Sequence, residues 1–407
     1  MDTIMADDAR LPADIEAQPV VQAAAALQPM LRQCREQIEA EQRFPAALVE
    51  KLREGGLYRM VIPRSLGGLQ ADPITYTRAV ELLAEGCGSV GWNLANNSIG
   101  QLVTLGLPED GVEELYGHKG HTVMAGTAVQ GGGQAVPVPG GYRVSGRWSF
   151  GSGCQESHWM LGSFQILDDG KPRTGADGKP LYWRGVFPRA EAEIVPGSWD
   201  VSGLRGTGSF DWTVHDVFLP ERRTMVHAGI PLDNQWDRWP GVTYQLPTQC
   251  WVGPHHSAVI TGIARAGINA LIDLAGGKTP RGRTGLLCDN PQVQDAVGRA
   301  DAILDAGRNY RSAMIADLWK SVAAGEGTTL EQRARCRLAA VYAADCARQA
   351  MDLMYRHGGS TSFKQDSRLA ECWRDLQVVG QTVTIAPEWY PIGGRILLGS
   401  DPGPRLR

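Results

Sequence analysis

The chain has 407 residues, of which 43% are hydrophobic and 21% charged, so it is neither disordered nor collagen-like and is long enough for two or three packed units. Its net charge of −4 argues against nucleic acid or a membrane surface as a partner, and we expect neither a membrane span nor a secretory signal because no apolar run is long enough. The eight cysteines form no Cys-x-x-Cys pair, which predicts buried, reduced thiols in a cytoplasmic protein.

The first part of the chain predicts helices. Leu48 and Leu52 are spaced as on a helix that ends at Gly55-Gly56, and a further helix is predicted over roughly residues 92–105. We therefore expect an N-terminal helical domain over residues 15–118.

The middle of the chain predicts strands. One candidate covers residues 121–129, a hairpin is predicted to turn at Gly140-Gly141, and Phe210 alternates with Trp212 as in a half-buried strand. We expect a β-barrel-like middle domain over residues 119–235.

From about Gln249 onward the apolar spacing again predicts helices, four in number with short connections. The predicted stripe of the fourth helix is Leu369, Cys372, Leu376, Val379 and Val383. Apolar residues three and four positions apart are what antiparallel bundle packing requires. The expected fold class is therefore α+β, ending in a four-helix bundle over residues 245–398.

Several standard sites are absent from the sequence. It contains no G-x-x-x-x-G-K-[ST] phosphate loop, no H-E-x-x-H and no G-x-S-x-G motif. The pairs His118/His121 and His255/His256 lack the acidic or cysteine neighbours of a metal site. We expect no metal.

One stretch, residues 123–154, is suited to a flat heteroaromatic ring. It places the hydroxyls of Thr127 and Ser152 among glycines, with Phe150 beside them. Glycines allow close backbone approach, hydroxyls reach ring heteroatoms, and an aromatic side chain covers the ring face. The same residues also fit a glycine-rich hairpin with ordinary core aromatics.

Two further stretches lie in the bundle. RHGGSTSF (356–363) can form an anion-binding nest, or a glycine C-cap followed by a Ser/Thr N-cap of the next helix. The second stretch is ECWRDLQVVGQTVTIAPEWY (371–390), in which the adjacent Arg374 and Asp375 point to different sides of the helix; a structural ion pair with a neighbouring helix is the favoured interpretation of Asp375. Thr382 lies one position off the apolar stripe and is expected at an edge of the bundle.

These stretches, in this order, resemble the acyl-CoA dehydrogenase superfamily over about residues 15–400. The markers are SGRWSFGSG (145–153), WDVSGLRGTGSFDWTVHDVFLP (199–220), HGGSTSF and WRD. The resemblance implies a helical domain, a β domain and a bundle, with a flavin (FAD or FMN) held between the last two. It also implies a homotetramer.

The resemblance assigns the flavin contacts residue by residue. Thr127 is similar to the donor to the flavin pyrimidine edge, and Ser152 to the hydroxyl beside flavin N5 in an aromatic–small–hydroxyl triplet. The resemblance also implies that Arg281 and Gln294 contact the flavin tail of a neighbouring subunit, and that the loop Gly358–Ser360 reaches that subunit's cofactor. The triplet and these residues together comprise Phe150, Gly151, Ser152, Arg281 (or Arg283), Gln294, Gly358, Gly359 and Ser360.

The namesake reaction lacks its base. Acyl-CoA dehydrogenases take the substrate α-proton with a glutamate, but residues 222–325 contain none, and after Arg374-Asp375 the next glutamate is Glu388. The chain looks more like the two-component flavin monooxygenases, in which a separate reductase supplies reduced flavin and O2 is the co-substrate. The implied substrate is small and largely apolar, aromatic or polycyclic. In that group the protein must exclude water from the reactive flavin, and Ser152 is expected to slow the loss of hydrogen peroxide.

Thr382 stands where many of these monooxygenases carry a histidine. A threonine hydroxyl can hydrogen-bond but cannot act as a base near neutral pH, so His255 or His256 is a candidate replacement. By the same resemblance, Trp92, Asn96 and Asn97 are expected where the N-terminal domain of the family usually closes the substrate pocket, although Trp92 also suits core packing and Asn97 a helix surface.

Two alternative functions stay open on these residues. One is a flavin dehydrogenase or desaturase of the same fold that does not use the standard glutamate, a reading favoured by the missing histidine at Thr382. The other is a non-catalytic flavin-binding subunit. The intact triplet at Ser152 argues against the second.

Overall fold

The computed structural model describes residues 10–117, 122–127, 131–226, 238–247, 249–401 and 403. In chain order it has helices, then a β-sheet, then helices again, which confirms the predicted fold class. The bounds expected for the three domains stay predictions. His118, His121 and parts of the predicted strand at 121–129 lie outside the described residues.

The described N-terminal part is mainly helical and contains no strand. Its α-helices are α1 (Pro19–Ala26), α2 (Gln28–Glu41), α3 (Ala46–Glu54), α4 (Pro73–Gly86), α5 (Gly88–Thr104) and α6 (Glu109–Tyr116). Helix α3 stops at the predicted Gly55-Gly56 signal. Helix α4 begins where the Asp72 carboxylate accepts the N–H groups of Ile74 and Thr75, which satisfies backbone donors at the helix start.

The middle part is one sheet of nine strands within the described residues. They are β1 (Met124–Gly126), β2 (Gly132–Val138), β3 (Gly141–Trp148), β4 (Trp159–Asp168), β5 (Lys171–Pro172), β6 (Trp183–Pro188), β7 (Glu193–Ile194), β8 (Trp212–Pro220) and β9 (Thr224–Val226). The order is β7-β8-β3-β2-β4-β6-β9, with β1 and β5 paired to β4. The hairpin between β2 and β3 turns at Gly140-Gly141 as predicted, since Val138 pairs with Gly141.

The C-terminal part is a helical bundle. Its helices are α7 (Val242–Gln245), α8 (Gln249–Gly277), α9 (Pro291–Ala323), α10 (Leu330–His357), α11 (Arg368–Val379) and α12 (Trp389–Leu397). Helix α10 starts with a capping box in which Thr329 and Gln332 bind each other's backbone N–H. Helix α8 packs against α9, α10 and α11 and also against α4 and α5. One hydrophobic core is therefore shared by the N-terminal helices and the bundle, whereas the sheet has a core of its own.

Two expectations about the bundle were wrong. The fourth long helix, α11, ends at Val379 instead of continuing through Val383, whose side chain is 56% exposed in a short turn. An apolar run of membrane-spanning length also exists, because Cys250–Gly277 of α8 has a mean hydropathy of 1.4. Of the apolar window in that segment, 67% is buried inside the fold, as expected for a core helix that packs against five other helices.

The eight cysteines are all free thiols, as the sequence predicted. Six are buried, and Cys34 and Cys288 are half-buried. Burial raises the pKa of the Cys87 thiol and of the Cys372 thiol, the latter to about 12, so both stay protonated near neutral pH. These thiols act as small core side chains.

Candidate active site

The turn after β3 carries the predicted aromatic–small–hydroxyl triplet. Phe150 has a φ of +66°, a left-handed conformation that costs a non-glycine residue about 1–3 kcal/mol, and its ring is 60% exposed. The next residue must be small, because a Cβ on Gly151 would lie 2.9 Å from the carbonyl oxygen of Phe210. The Gly151 N–H donates to that same oxygen at 2.9 Å. The turn therefore presents an aromatic face outward and holds Ser152 inward.

Ser152 lies at the centre of a hydrogen-bonded group. Its side chain is buried, and Oγ lies 2.7 Å from Oγ of Ser209 and accepts from Trp92 Nε1 at 3.1 Å. Ser209 lies 2.7 Å from the Thr207 hydroxyl, which donates to the Leu204 carbonyl at 2.8 Å. Both hydroxyls belong to GLRGTGS (203–209), which is part of the marker WDVSGLRGTGSFDWTVHDVFLP, but neither hydroxyl was recognised as a site residue from the sequence.

Trp92 connects this group to the bundle. Its indole, on α5, packs on the imidazole of His256 with ring centroids 4.8 Å apart and an angle of 34° between the ring planes. Trp92 is half-buried, so it is both a packing residue and a hydrogen-bond donor to Ser152. The structure thus joins α5, the β3 turn and α8 at one place.

His256 faces this site and His255 does not. Nδ1 of His256 lies 2.7 Å from Oγ1 of Thr384, whereas Nδ1 of His255 lies 2.7 Å from the Trp251 carbonyl. The His255 ring also stacks on Tyr76, with centroids 4.2 Å apart. Of the two candidates to replace the missing histidine, only His256 contacts the group around Ser152.

His256 is held neutral. Its side chain is 5% exposed, and desolvation, with a further contribution from the nearby Arg337 charge, lowers its pKa to about 4. Burial likewise moves the pKa of His255 well below its usual value. Nε2 of His256 has no hydrogen-bond partner among the described residues, so the hydrogen bonds of the ring run through Nδ1, to the Thr384 hydroxyl and to the Val252 backbone.

Thr382 joins the site through Thr384. Their hydroxyls are 3.5 Å apart, and Thr382 is half-buried while Thr384 is buried. Arg337 fixes the turn because its guanidinium donates to the Thr384 carbonyl at 2.9 Å and lies over the Trp389 ring at 4.2 Å. The predicted position of Thr382 at the edge of the bundle fits this placement, although Thr382 lies in a loop and not on a helix. Thr384 went unrecognised, although two hydroxyls spaced i, i+2 beside Gly380 were a visible signal.

The other two residues predicted near the substrate have structural contacts. Asn96 Nδ2 donates to the Trp92 carbonyl at 2.9 Å. Asn97 is 2% exposed and is no surface amide: its Oδ1 accepts the Met124 N–H at 2.8 Å, and its Nδ2 donates to the Tyr58 carbonyl at 3.5 Å. The contacts of Asn97 tie α5 to β1, and a role in substrate binding stays a prediction.

Asp375 anchors the motif that carries Ser209. Its carboxylate accepts the Leu204 N–H at 2.7 Å, so the expected ion pair was wrong: within the described residues Asp375 binds backbone. Burial, reinforced by the charges of Glu39 and Glu371, raises its pKa well above the usual value. Gly203 sits against α11 so closely that a Cβ there would lie 2.5 Å from the Arg374 carbonyl.

The residues assigned to the flavin tail form a separate group at one end of the bundle. Gly358 caps α10, as one of the two interpretations of RHGGSTSF required. No Ser or Thr of this stretch caps the next helix: Ser362 Oγ donates back to the Tyr355 carbonyl, and the N-cap position of α11 is Ser367, whose side chain makes no capping hydrogen bond. Lys278, unrecognised in the sequence, donates to the Gly358 carbonyl at 2.7 Å and to Thr361 Oγ1 at 2.8 Å. These hydrogen bonds hold the loop at Gly358 against the segment after α8, which also carries the exposed Arg281.

The remaining assigned residues are placed as follows. Gly359 and Ser360 are exposed, and Gln294, near the start of α9, is also exposed and donates to the Cys288 carbonyl at 2.9 Å. Thr127 follows β1 and its N–H donates to the Leu161 carbonyl at 2.9 Å. No group of three or more possible metal ligands occurs among the residues that the structure describes.

Comparison with known proteins agrees with this architecture. The acyl-CoA dehydrogenase N-terminal domain profile matches residues 20–111, and the C-terminal domain profile matches residues 255–386. A pigment production hydroxylase of Rhodococcus erythropolis is 31% identical, covering 91% of this chain and 95% of its own. Indole-3-acetate monooxygenase of Pseudomonas putida is 29% identical, covering 90% of both chains.

A solved structure extends the likeness to three dimensions. The HsaA monooxygenase of Mycobacterium tuberculosis superposes with a TM-score of 0.84 at 27% identity, covering 96% of this chain and 100% of its own. In sequence comparison that protein is described as the oxygenase subunit of a flavin-dependent monooxygenase. The chain therefore belongs to the acyl-CoA dehydrogenase family and is related to the oxygenase components of two-component flavin-dependent monooxygenases.

Proposed function

We propose that this chain is the oxygenase component of a two-component monooxygenase, which uses reduced flavin and O2 to oxygenate a small aromatic or polycyclic substrate. The observation that carries the proposal is the meeting of Ser152, Trp92 and His256 from three parts of the chain. The names of the related hydroxylases and monooxygenases support the reaction type, and indole-3-acetate supports the substrate class.

The turn at Phe150 fits the ring of a flavin. An exposed aromatic side chain on a strained backbone, with its ring edge near Trp199 at 6.3 Å between centroids, is an arrangement that a flat ligand would cover. Ser152, beside it, offers a hydrogen-bonding oxygen. Bound in its reduced form, flavin would supply the electrons and the carbon at which O2 is activated, while Thr127 and Ser152 would hold the ring.

The tail of the cofactor has a candidate position of its own. Lys278, Arg281 and the loop at Gly359 present positive charge and backbone groups at one end of the bundle. Such a site suits a phosphate-bearing tail reaching in from a neighbouring subunit. This position is consistent with either FMN or FAD.

His256 takes the place of the missing histidine in this proposal. Because its pKa lies at about 4, the ring is neutral at physiological pH, so one of its nitrogens carries no proton and can accept a hydrogen bond. Thr384 and Thr382 lead from Nδ1 toward the half-buried edge of the site, so a proton removed from a substrate hydroxyl has a route of hydroxyl groups to the ring. Trp92 covers the ring face and excludes water from it.

An acyl-CoA dehydrogenase reaction is disfavoured by the missing carboxylate. Residues 222–325 contain no glutamate, and residues 380–387, which follow α11, contain neither aspartate nor glutamate. Asp375 does not substitute, because its carboxylate is buried against the Leu204 N–H. An α-proton would therefore meet no base of the kind that reaction requires.

Two partners complete the proposal. A separate flavin reductase supplies the reduced cofactor, as the description of HsaA as an oxygenase subunit suggests. The chain acts as a homotetramer, which family resemblance supports and which would cover large exposed side chains such as Phe363. Light scattering should give four times the chain mass; a monomer would contradict this part.

A rapid-mixing experiment tests the reaction type. Protein loaded anaerobically with reduced FMN or FAD is mixed with O2, and flavin reoxidation and hydrogen peroxide are followed with and without indole-3-acetate or another aromatic substrate. We expect reoxidation slower than that of free flavin and peroxide replaced by product when substrate is present. Fast reoxidation with tightly bound oxidised FAD would favour a dehydrogenase, and failure to bind either flavin would favour a non-catalytic subunit.

A further inference from the structure

The hydrogen bonds around Ser152 form a chain that ends on a backbone carbonyl. Trp92 Nε1 lies 3.1 Å from Ser152 Oγ, which lies 2.7 Å from Ser209 Oγ. Ser209 Oγ lies 2.7 Å from Thr207 Oγ1, and Thr207 Oγ1 lies 2.8 Å from the Leu204 oxygen. The exposed fractions of the three hydroxyl residues are 7%, 2% and 1% in that order, so bulk water does not compete for these groups.

This chain has a single consistent direction. A carbonyl can only accept, so the one proton of Thr207 points at Leu204. Ser209 must then donate to Thr207, because otherwise two oxygen lone pairs would face each other at 2.7 Å. By the same argument Ser152 donates to Ser209. The indole N–H of Trp92 can only donate, so it occupies one lone pair of Ser152.

Ser152 is left with a free lone pair and no free proton. We propose that Trp92, Ser209 and Thr207 are positioning residues that make Ser152 an acceptor toward flavin N5, so that the site selects the reduced cofactor. This inference rests on the proposed function, in which Ser152 faces N5. In reduced flavin N5 carries a hydrogen and can donate, whereas in oxidised flavin N5 is itself an acceptor.

The consequence is a difference in affinity between the two redox states. Reduced flavin gains a hydrogen bond with Ser152, while oxidised flavin brings two lone pairs together unless the whole chain reverses. Reversal would require Thr207 Oγ1 to give up its 2.8 Å hydrogen bond to the Leu204 carbonyl, the shortest of the three that this oxygen accepts; the Thr207 N–H at 3.1 Å and Trp199 Nε1 at 3.3 Å would remain. The arrangement suits an oxygenase that receives reduced flavin from a partner and releases the oxidised form.

The test is the ratio of the dissociation constants of oxidised and reduced flavin, measured by anaerobic titration with FMN and with FAD. The wild type should bind the reduced form at least about tenfold more tightly, the worth of one good hydrogen bond. Ser209→Ala frees the Ser152 proton and should lower the ratio about threefold to tenfold, mainly by tightening oxidised flavin. Thr207→Val should act in the same direction, and Ser209→Thr, which keeps a hydroxyl, should restore the wild-type ratio.

The matched control is Ser157→Ala. Ser157 is a buried serine close to the same turn, and its hydroxyl donates to the Cys154 carbonyl at 3.1 Å, outside the chain of hydroxyls. A variant that only loosens the fold would weaken both forms alike and leave the ratio unchanged. If flavin binds but Ser209→Ala and Thr207→Val both keep the wild-type ratio, the inference is overturned. If neither redox state binds to the wild type, the proposed function itself fails.

Discussion

The Thr384 hydroxyl lies 2.7 Å from Nδ1 of His256, across 128 positions of sequence. The contact joins the start of α8 to the turn after α11. It places a buried, neutral imidazole two contacts away from Thr382, the position at which the related monooxygenases are expected to carry a histidine. A proton acceptor thus exists at this edge of the site, although not at position 382.

The first prediction concerns stability in acid. The folded-state pKa of His256 is about 4, below the unfolded value of about 6.5, so its contribution to stability is present above pH 6.5 and is lost as the pH falls toward 4. Between pH 7 and pH 5 that contribution should fall by about 2 kcal/mol. In urea unfolding, the free energy of unfolding of His256→Gln should fall between pH 7 and pH 5 by about 2 kcal/mol less than that of the wild type. His255 is present in both proteins, so parallel pH curves would contradict the assignment.

The second prediction concerns the route to His256. Thr384→Val removes the hydroxyl between His256 and Thr382 with little change of shape, and we expect the hydroxylation rate constant to fall at least about tenfold while flavin binding is kept. Product and hydrogen peroxide are measured per reduced flavin consumed. Thr213→Val, on β8, is the matched control and should behave as the wild type. An unchanged product yield in Thr384→Val would show that no proton passes through Thr384 to His256.

The architecture was largely accessible from sequence, because it depends on local spacing. The 3.6-residue period of the bundle, the stop at Gly55-Gly56 and the turn at Gly140-Gly141 each reflect backbone preferences of a few neighbouring residues. The end of α11 was misplaced because the apolar spacing continues by coincidence to Val383, past Gly380, where the helix stops. A glycine signal outweighed the periodicity there.

The site was only partly accessible. Ser152 and Trp92 stood out as residue types, and His256 as one of two adjacent histidines, but which histidine faces the site depends on helix packing. Asp375 was misread because a carboxylate that binds a backbone N–H looks the same in sequence as one that binds an arginine. The spacing of Thr382 and Thr384 was visible in the sequence, but the contact that gives Thr384 its role is with His256, 128 positions away, and no local pattern predicts it.

The third prediction separates the charge of Asp375 from its hydrogen bond. The pKa of Asp375 is raised in the folded protein. The contribution of this carboxyl group to stability is therefore present below the usual carboxyl pKa and is lost as the pH rises through the folded-state pKa. Asp375→Asn keeps an acceptor for the Leu204 N–H without a buried charge, so at pH 7 it should be at least as stable as the wild type. Asp375→Ala should lose about 1–3 kcal/mol in chemical denaturation. Equal losses in both variants would refute this reading.

The fourth prediction concerns the packing of the GLRGTGS motif on α11. In Gly203→Ala the new methyl group would lie 2.5 Å from the Arg374 carbonyl, so the motif must shift and the protein should lose at least about 1–3 kcal/mol of stability. Gly298→Ala, inside α9 and facing open space, should instead stabilise by about 0.5–1 kcal/mol. Thermal unfolding of the two variants checks both signs, and a neutral Gly203→Ala would show that the motif is loosely held.

The central claim is that this chain inserts oxygen from O2 into an aromatic substrate at the expense of reduced flavin. The most direct measurement is mass spectrometry of the products formed from indole-3-acetate and other aromatic compounds under 18O2, with a flavin reductase and NADH regenerating the cofactor. The account predicts a product heavier by one 18O atom, absent without the reductase and strongly reduced in His256→Gln. Product carrying oxygen from water, or a desaturated product without added oxygen, would contradict it.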